Sequence, residues 1–165
     1  MRPMVDCIRP ATLTDVSALV RLNAEVQGMH AAQYPELFVP VADESAVAAF
    51  FADVMAKDCN EIGLYAAAGE PLGYIWIELQ HRDATAFTKP WSRGYVHHLS
   101  VAEAARRQGV ATALMQWAEA RAHEMGVEML ALDHWAANPA AAAFYDQLGF
   151  EPTRVVRVKM IAGGS

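Results

Sequence analysis

His97-His98-Leu99-Ser100-Val101, a short link from Ala102 to Ala105, and then Arg106-Arg107-Gln108-Gly109-Val110-Ala111 running on to Gly126 form the stretch that decides the fold. Gly94 to Val101 reads as a strand, while Val110, Leu114, Trp117, Ala118, Arg121 and Met125 return at helical spacing until Gly126 stops the pattern. A strand, a glycine-containing loop and a long helix therefore follow one another. At the start of such a helix several backbone N–H groups lack intrahelical partners and the dipole favours negative charge, so an anion such as a pyrophosphate fits there. Gly109 and Ala111 have little or no side chain, which lets phosphate oxygens approach the backbone, and Arg106 or Arg107 adds charge at the rim. A plainer reading of the same residues also stands: Gly109 permits a tight turn and both arginines are solvated.

Working outward, Val5 to Arg9 reads as a first strand, and Thr12 with Asp15 three residues on opens a helix whose apolar face carries Leu13, Val16, Leu19, Val20 and Val26. Gly28 to Pro40 reads as irregular, and a second helix runs from Asp43 or Ser45 to about Lys57. Glu61 to Ala68 and Leu72 to Leu79 form a hairpin around Gly69-Glu70-Pro71, followed by a polar loop from His81 to Ser92. Beyond Gly126, Val127 to His134 is a strand, Asn138 caps a helix with Pro139 in its first position and Gly149 after its end, and Val155 to Ile161 alternates as a final strand. Strands that begin in a hairpin and later alternate with helices predict an α/β chain, a mixed and mostly antiparallel sheet of six or seven strands flanked by about four helices.

A chain of 165 residues fits one domain, since this length buries roughly 70% of the unfolded surface around one core. Thirteen basic against nineteen acidic residues give a formal charge of −6, which argues against nucleic acid as a partner and tilts the surface weakly toward cationic substrates. Cys7 and Cys59 have no metal-type spacing and read as free thiols. The N-terminal MRPMVDCIRP has charge and two prolines before any apolar run, so neither a signal peptide nor a membrane anchor is expected, and the location expected is cytoplasmic.

The run from His97 to Gly126, with its Arg/Gln-x-x-Gly-x-Gly/Ala core, resembles the acyl-CoA-binding motif of the GNAT superfamily of N-acetyltransferases. Asn138-Pro139-Ala140 followed by Ala143-Phe144-Tyr145-Asp146-Gln147-Leu148-Gly149-Phe150 resembles a second motif of the same superfamily, on the next helix. The two motifs span roughly the last third of the chain. The resemblance implies a sheet splayed between two parallel strands, with acetyl-CoA as cosubstrate in the opening. It implies that the backbone of Leu99, Ser100 and Val101 meets the acyl and pantetheine groups, and that Arg106, Arg107, Gln108, Gly109, Val110, Ala111 and Thr112 hold the pyrophosphate. It further implies that Asn138 meets the pantetheine, that Tyr145 protonates the leaving sulfur, and that the chain forms a homodimer.

In acyl transfer an amine attacks the thioester carbonyl, an oxyanion develops and a thiolate leaves. A backbone N–H at Leu99 suits the oxyanion, and a phenol of pKa about 10 at Tyr145 can supply a proton to a thiolate. The plainer role for Tyr145 is packing beside Phe144 and Leu148. An amine of pKa about 10.4 is neutral in only roughly one molecule in 2,500 at pH 7, so a proton acceptor helps. His97 and His98, with ordinary values near 6.5, are the candidates. Neighbours on a strand face opposite sides, so one histidine at most is expected in the cleft, and alternation groups His97 with Tyr95, Leu99 and Val101. Many members of the superfamily carry an acidic residue here, so the choice of base stays open. A metal site from His97, His98, Asp133 and His134 is not expected, because neither neighbouring pair aims both members at one ion.

By the same resemblance, the acceptor side is built from the first two helices, the segment between them and the loop before the central strand. This places His30, Tyr34, Glu36, Phe38 and the His81 to Trp91 stretch near the acceptor, with Glu36 or Asp83 attracting an amine. The leading expectation is an enzyme that acetylates a primary amine of a small molecule. The alternatives are acetylation of a protein lysine or N-terminus, and a non-catalytic acyl-CoA-binding regulatory module. The sequence lacks both Gly-x-Gly-x-x-Gly and Gly-x-x-x-x-Gly-Lys-Ser/Thr, which disfavours dinucleotide and P-loop binding.

Overall fold

Thr12 and Asp15 open the first helix as the spacing predicts: the Thr12 amide donates to Asp15 Oδ2 at 2.8 Å, and Arg9 grips the same carboxylate at 2.7 Å. The computed structural model describes residues 7–161, and after one 3-10 turn at Leu13–Asp15 the helix α1 runs from Val16 to Gln33. It passes straight through Gly28, where irregular chain is expected from the sequence. A glycine costs a helix only about 1 kcal/mol, and buried Ala31 anchors the turn beyond it. Helix α2 spans Glu44–Met55, and its cap Asp43 accepts from the Ala46 amide at 2.8 Å.

Five strands form one sheet in chain order: β1 (Ile8–Pro10), β2 (Asn60–Ala67), β3 (Glu70–Arg82), β4 (Trp91–Val101) and β5 (Leu130–Leu132). All pairs are antiparallel except β4 with β5. The part of the predicted first strand before Cys7 lies outside the described residues. The β2–β3 turn is Ala68-Gly69, with φ of 50° and 81°, the doubly left-handed geometry of a two-residue hairpin. Glu70 and Pro71, expected in the turn, therefore belong to β3.

Helices α1 and α2 cover one face of the sheet, where Leu19, Leu22, Phe51, Leu64, Tyr74 and Trp76 are part of the buried core. Helix α3 (Val110–Glu124) covers the other with the buried stripe Val110, Leu114, Trp117 and Ala118. Gly63 of β2 lets it approach: a Cβ added there would sit 2.7 Å from the Trp117 ring. Arg121 of α3 then grips Glu61 of β2 with two hydrogen bonds of 2.7 and 2.6 Å.

The chain divides into two compact units, Met1–Asp133 and His134–Ser165. The sheet and α1 to α3 belong to the first. In the second, α4 (Pro139–Gln147) has Asn138 as its cap, accepting from the Ala141 amide at 3.0 Å, and Gly149 at φ 84° ends it. Val155–Ile161 is not a strand, so the described residues hold five strands where six or seven are expected. Alternation of Val156, Val158 and Met160 with Arg157 and Lys159 records two faces, but a strand also needs an edge to pair with, which no local pattern supplies.

Candidate active site

Strand β5 stops where its Leu132 pairs with Val96, while β4 continues through His97 to Val101. The amide of Ala102 donates to Leu72 O at 2.8 Å, on the β3 side. Backbone direction alternates along a strand, so the amides of Leu99 and Val101 turn to the opposite edge, on the side where β5 has ended. The parallel pair thus opens next to Leu99 and Val101. Ser100 points elsewhere: its buried Oγ donates to Leu22 O of α1 at 2.8 Å and ties helix to sheet.

The chain then winds through Arg107 at φ 63° and Gly109 at φ 83°, both left-handed, into the start of α3. The Ala113 amide is bonded to Gly109 O at 3.0 Å, which leaves the amides of Val110, Ala111 and Thr112 ahead of the intrahelical ladder. Of the two arginines expected at the rim, Arg106 is engaged with Glu25 of α1 at 3.0 Å and with Val101 O at 3.2 Å. Arg107 is exposed, and the Gln108 amide donates to Ala104 O at 2.8 Å.

The histidines depart from the expected alternation. A β-bulge lies in β4, because Trp76 of β3 pairs with His98 whereas the next residue, Ile77, pairs with Val96. The extra residue, His97, shifts the phase, so both histidines face the α1/α2 side, where strict alternation puts neighbours on opposite faces. His97 stacks on Trp76 at 4.1 Å and lies 4.9 Å from the Tyr95 ring, while His98 meets the edge of Trp76 at 5.0 Å. Leu99 and Val101, grouped with His97 by period two, instead pair with Ile75 and Gly73 and share the α3 face; a Cβ on Gly73 would lie 3.2 Å from Leu114 and Val110.

Each histidine has its own partners. His97 Nε2 is 2.7 Å from Glu78 Oε2, which also accepts from Gln80 Nε2 at 2.9 Å; Gln80 Oε1 in turn accepts from Arg93 Nε at 2.9 Å. The hydrogen bond from Gln80, and after it that from His97, hold the Glu78 carboxyl below the ordinary carboxylate range against the opposing effect of burial. His98 Nδ1 is 3.0 Å from Tyr74 Oη, which accepts from Asn23 Nδ2 at 3.1 Å. Burial, then the charges of His97 and His30, push His98 down to about 4. None of Glu78, Tyr74, Trp76 and Asn23 is apparent as a site residue from sequence alone, although Tyr74, Trp76 and Glu78 share one face of β3 at period two.

In the second unit, Tyr145 of α4 packs with Phe144, Phe150 and His134, at ring distances of 5.3, 5.9 and 6.0 Å. Asn138 uses its Oδ1 to cap the helix. Among the residues expected on the acceptor side, His30 and Phe38 lie 5.0 Å apart, Glu36 is exposed, and Asp83 is paired with His81 at 3.2 Å. A hollow of about 510 Å³ lies between α1, the Pro40–Ala42 segment and α2; Asn23 lines it and reaches His98 through Tyr74. Among the described residues no group of three or more His, Cys, Asp or Glu could hold a metal ion, and no helix is long and apolar enough to cross a membrane.

The profile of the Acetyltransferase (GNAT) family matches residues 25–150. The chain belongs to this family of acetyltransferases. It is 29% identical over 153 residues to an N-alpha-acetyltransferase of Sulfurisphaera tokodaii, covering 91% of this chain and 83% of that protein. It is 30% identical over 87 residues to the N-acetyltransferase YdgE of Bacillus subtilis, a match that takes in 53% of this chain and about half, 52%, of that relative. Among solved structures, a tetramutant of the BH1408 protein of Bacillus halodurans superposes with a TM-score of 0.85 at 20% identity, covering 93% of this chain and 99% of that one. The aminoglycoside acetyltransferase AAC(6')-Iy, in complex with a CoA-based bisubstrate analogue, superposes with a TM-score of 0.74 at 18% identity, covering 94% and 97%. At these identities the structural matches speak for the fold.

Proposed function

We propose that the chain, working as a single catalytic domain, transfers an acetyl group from acetyl-CoA to a primary amine of a small molecule in a ternary complex. The observation that carries this reading is the open edge of β4 at Leu99 and Val101, beside a helix that begins with the uncommitted amides of Val110, Ala111 and Thr112. The amino end of α3 fits a diphosphate, with Gly109 and Ala111 leaving room for it, and the strand edge fits an extended arm carrying amides. Acetyl-CoA supplies an activated acyl group as a thioester. The chain's own residues do the rest: the Leu99 amide offers a hydrogen bond to the acyl oxygen, Arg107 adds charge near the phosphates, and Asn138 meets the pantetheine. His97 or His98 accepts the amine's proton, and Tyr145 returns one to the sulfur. The roles of Asn138 and Tyr145 rest on the motif they sit in.

Thiol release from acetyl-CoA, measured with tyramine, spermidine, an aminoglycoside and a short peptide with a free N-terminus, tests the proposal. Turnover with a small amine supports it, and binding of acetyl-CoA without turnover of any amine would point to a regulatory module. Preference for the peptide would favour acetylation of protein N-termini, the reading that the relative named N-alpha-acetyltransferase supports.

A further inference from the structure

We infer that the paired histidines divide the work: His97, oriented by Glu78, takes the acceptor amine's proton at Nδ1, and His98, locked by Tyr74 and Asn23, is a fixed hydrogen-bond donor at Nε2. The chemical part rests on the acyl-transfer reading above, whereas the ring states rest on hydrogen bonds alone.

His98 is settled by counting protons. Tyr74 is fully buried, so its O–H needs an acceptor. Its oxygen already accepts from Asn23, and the atom within reach of the hydroxyl hydrogen is His98 Nδ1 at 3.0 Å. Burial pushes the Tyr74 phenol above its ordinary value, which keeps that hydrogen in place. Nδ1 therefore holds the lone pair, and the neutral ring carries its proton on Nε2. Protonating His98 would set a second hydrogen against the one from Tyr74. The groups facing it are Tyr74 from β3, His97 along β4, His30 of α1, and the rings of Phe50 and Phe51 of α2. None is an anion that would favour a charged imidazole, so His98 is a donor and not a base.

His97 is the reverse case. A carboxylate only accepts, so at 2.7 Å from Glu78 the His97 Nε2 bears the hydrogen, and in the neutral ring the lone pair is on Nδ1. Three constraints fix the ring: the stack on Trp76, the Tyr95 ring, and Glu78, which is itself held by Gln80, a residue that Arg93 holds in turn. The charged and titratable groups around it are Glu78, with Lys57 acting on that carboxylate, then Tyr95 bonded to Asp133, Arg93 over Tyr95, and His98. In the transfer, the amine nitrogen bonds to the acyl carbon and its proton moves to His97 Nδ1. The C–S bond breaks, and the thiolate takes a proton from Tyr145. The proton on His97 passes to water, the Tyr145 phenolate takes one back from water, and amine plus thioester become amide plus thiol.

Long-range ¹H–¹⁵N spectra of the histidine rings in the full chain, recorded without coenzyme from about pH 8 down to about pH 4, test the ring states. The expected result is a neutral His98 protonated at Nε2 throughout most of that range, with Tyr74→Phe releasing it to a mixture of both tautomers. A proton on Nδ1 of His98, or titration at its ordinary value near 6.5, overturns the assignment. In the thiol-release assay with tyramine, His97→Gln is expected to lower kcat about 10²- to 10⁴-fold at neutral pH. The deficit should shrink as the pH approaches the amine's own pKa, and acetyl-CoA affinity should stay unchanged. His98→Asn, whose carbonyl can still accept from Tyr74, is expected to raise KM for the amine and keep the acid limb of the pH profile. Exchange of these two behaviours overturns the division. A wild-type chain that binds no acetyl-CoA would overturn the transferase reading alone, with the ring states still decided by the spectra.

Discussion

His98 shows how much one side chain's surroundings can change its meaning. As a sequence letter beside His97 it is an equal candidate for the base; in the fold it is half-buried among Phe50, Phe51, Tyr74 and Trp76 and held near 4. A histidine whose value is lower folded than unfolded stabilises the fold fully above its unfolded value and loses that contribution as pH falls from about 6.5 toward 4. The loss is of order 3 kcal/mol. The urea midpoint of the wild type should drop across this interval, and that of His98→Asn should stay flatter; parallel curves for the two proteins would contradict the neutral ring. Asp15, held down to about 2 chiefly by its hydrogen bond from Arg9, loses its contribution at lower pH, between its ordinary value and about 2, and does not blur the test. For Tyr145 the expectation is kinetic: Tyr145→Phe should lower kcat by about 10² or more while leaving acetyl-CoA affinity intact, and full turnover in the variant would remove the phenol from the proton transfer.

Elements were legible where local chemistry and tertiary packing agree. Helix α3, its glycine entry at Gly109 and its stop at Gly126 follow from spacing and turn residues, as does the Asn138 cap, while of Asp43 and Ser45 it is Asp43 that caps α2. Legibility failed where a distant partner decides. Helix α1 continues past Gly28 because Ala31 is buried beyond it, and Val155–Ile161 alternates without becoming a strand. The bulge in β4 is the clearest case: nothing in Val96-His97-His98 announces the extra residue, since it is defined by pairing with Trp76 and Ile77. The candidate site was accordingly half visible. The phosphate-side loop lies in consecutive residues, whereas Asn23, Tyr74 and Glu78 reach the histidines from other elements. Packing of α3 on β2 gives a test at this scale. In Gly63→Ala the new methyl meets the Trp117 ring, so the helix must lift or the ring turn, at a cost of about 1–3 kcal/mol. A urea midpoint equal to the wild type's would show that α3 does not press on Gly63.

At the scale of the whole molecule, the fold sets an open strand edge and a helix start within a few residues of each other along the chain. The central claim is that the amino end of α3 holds the diphosphate of the coenzyme. Ala111→Glu tests it cleanly, because the position is helical and a glutamate in the first turn favours the helix dipole, so the variant should fold as well as the wild type. Calorimetric titration with acetyl-CoA should give saturable one-to-one binding for the wild type and none for Ala111→Glu, with far-UV circular dichroism unchanged. Equal affinity in the two proteins, or no binding by the wild type, would contradict the account.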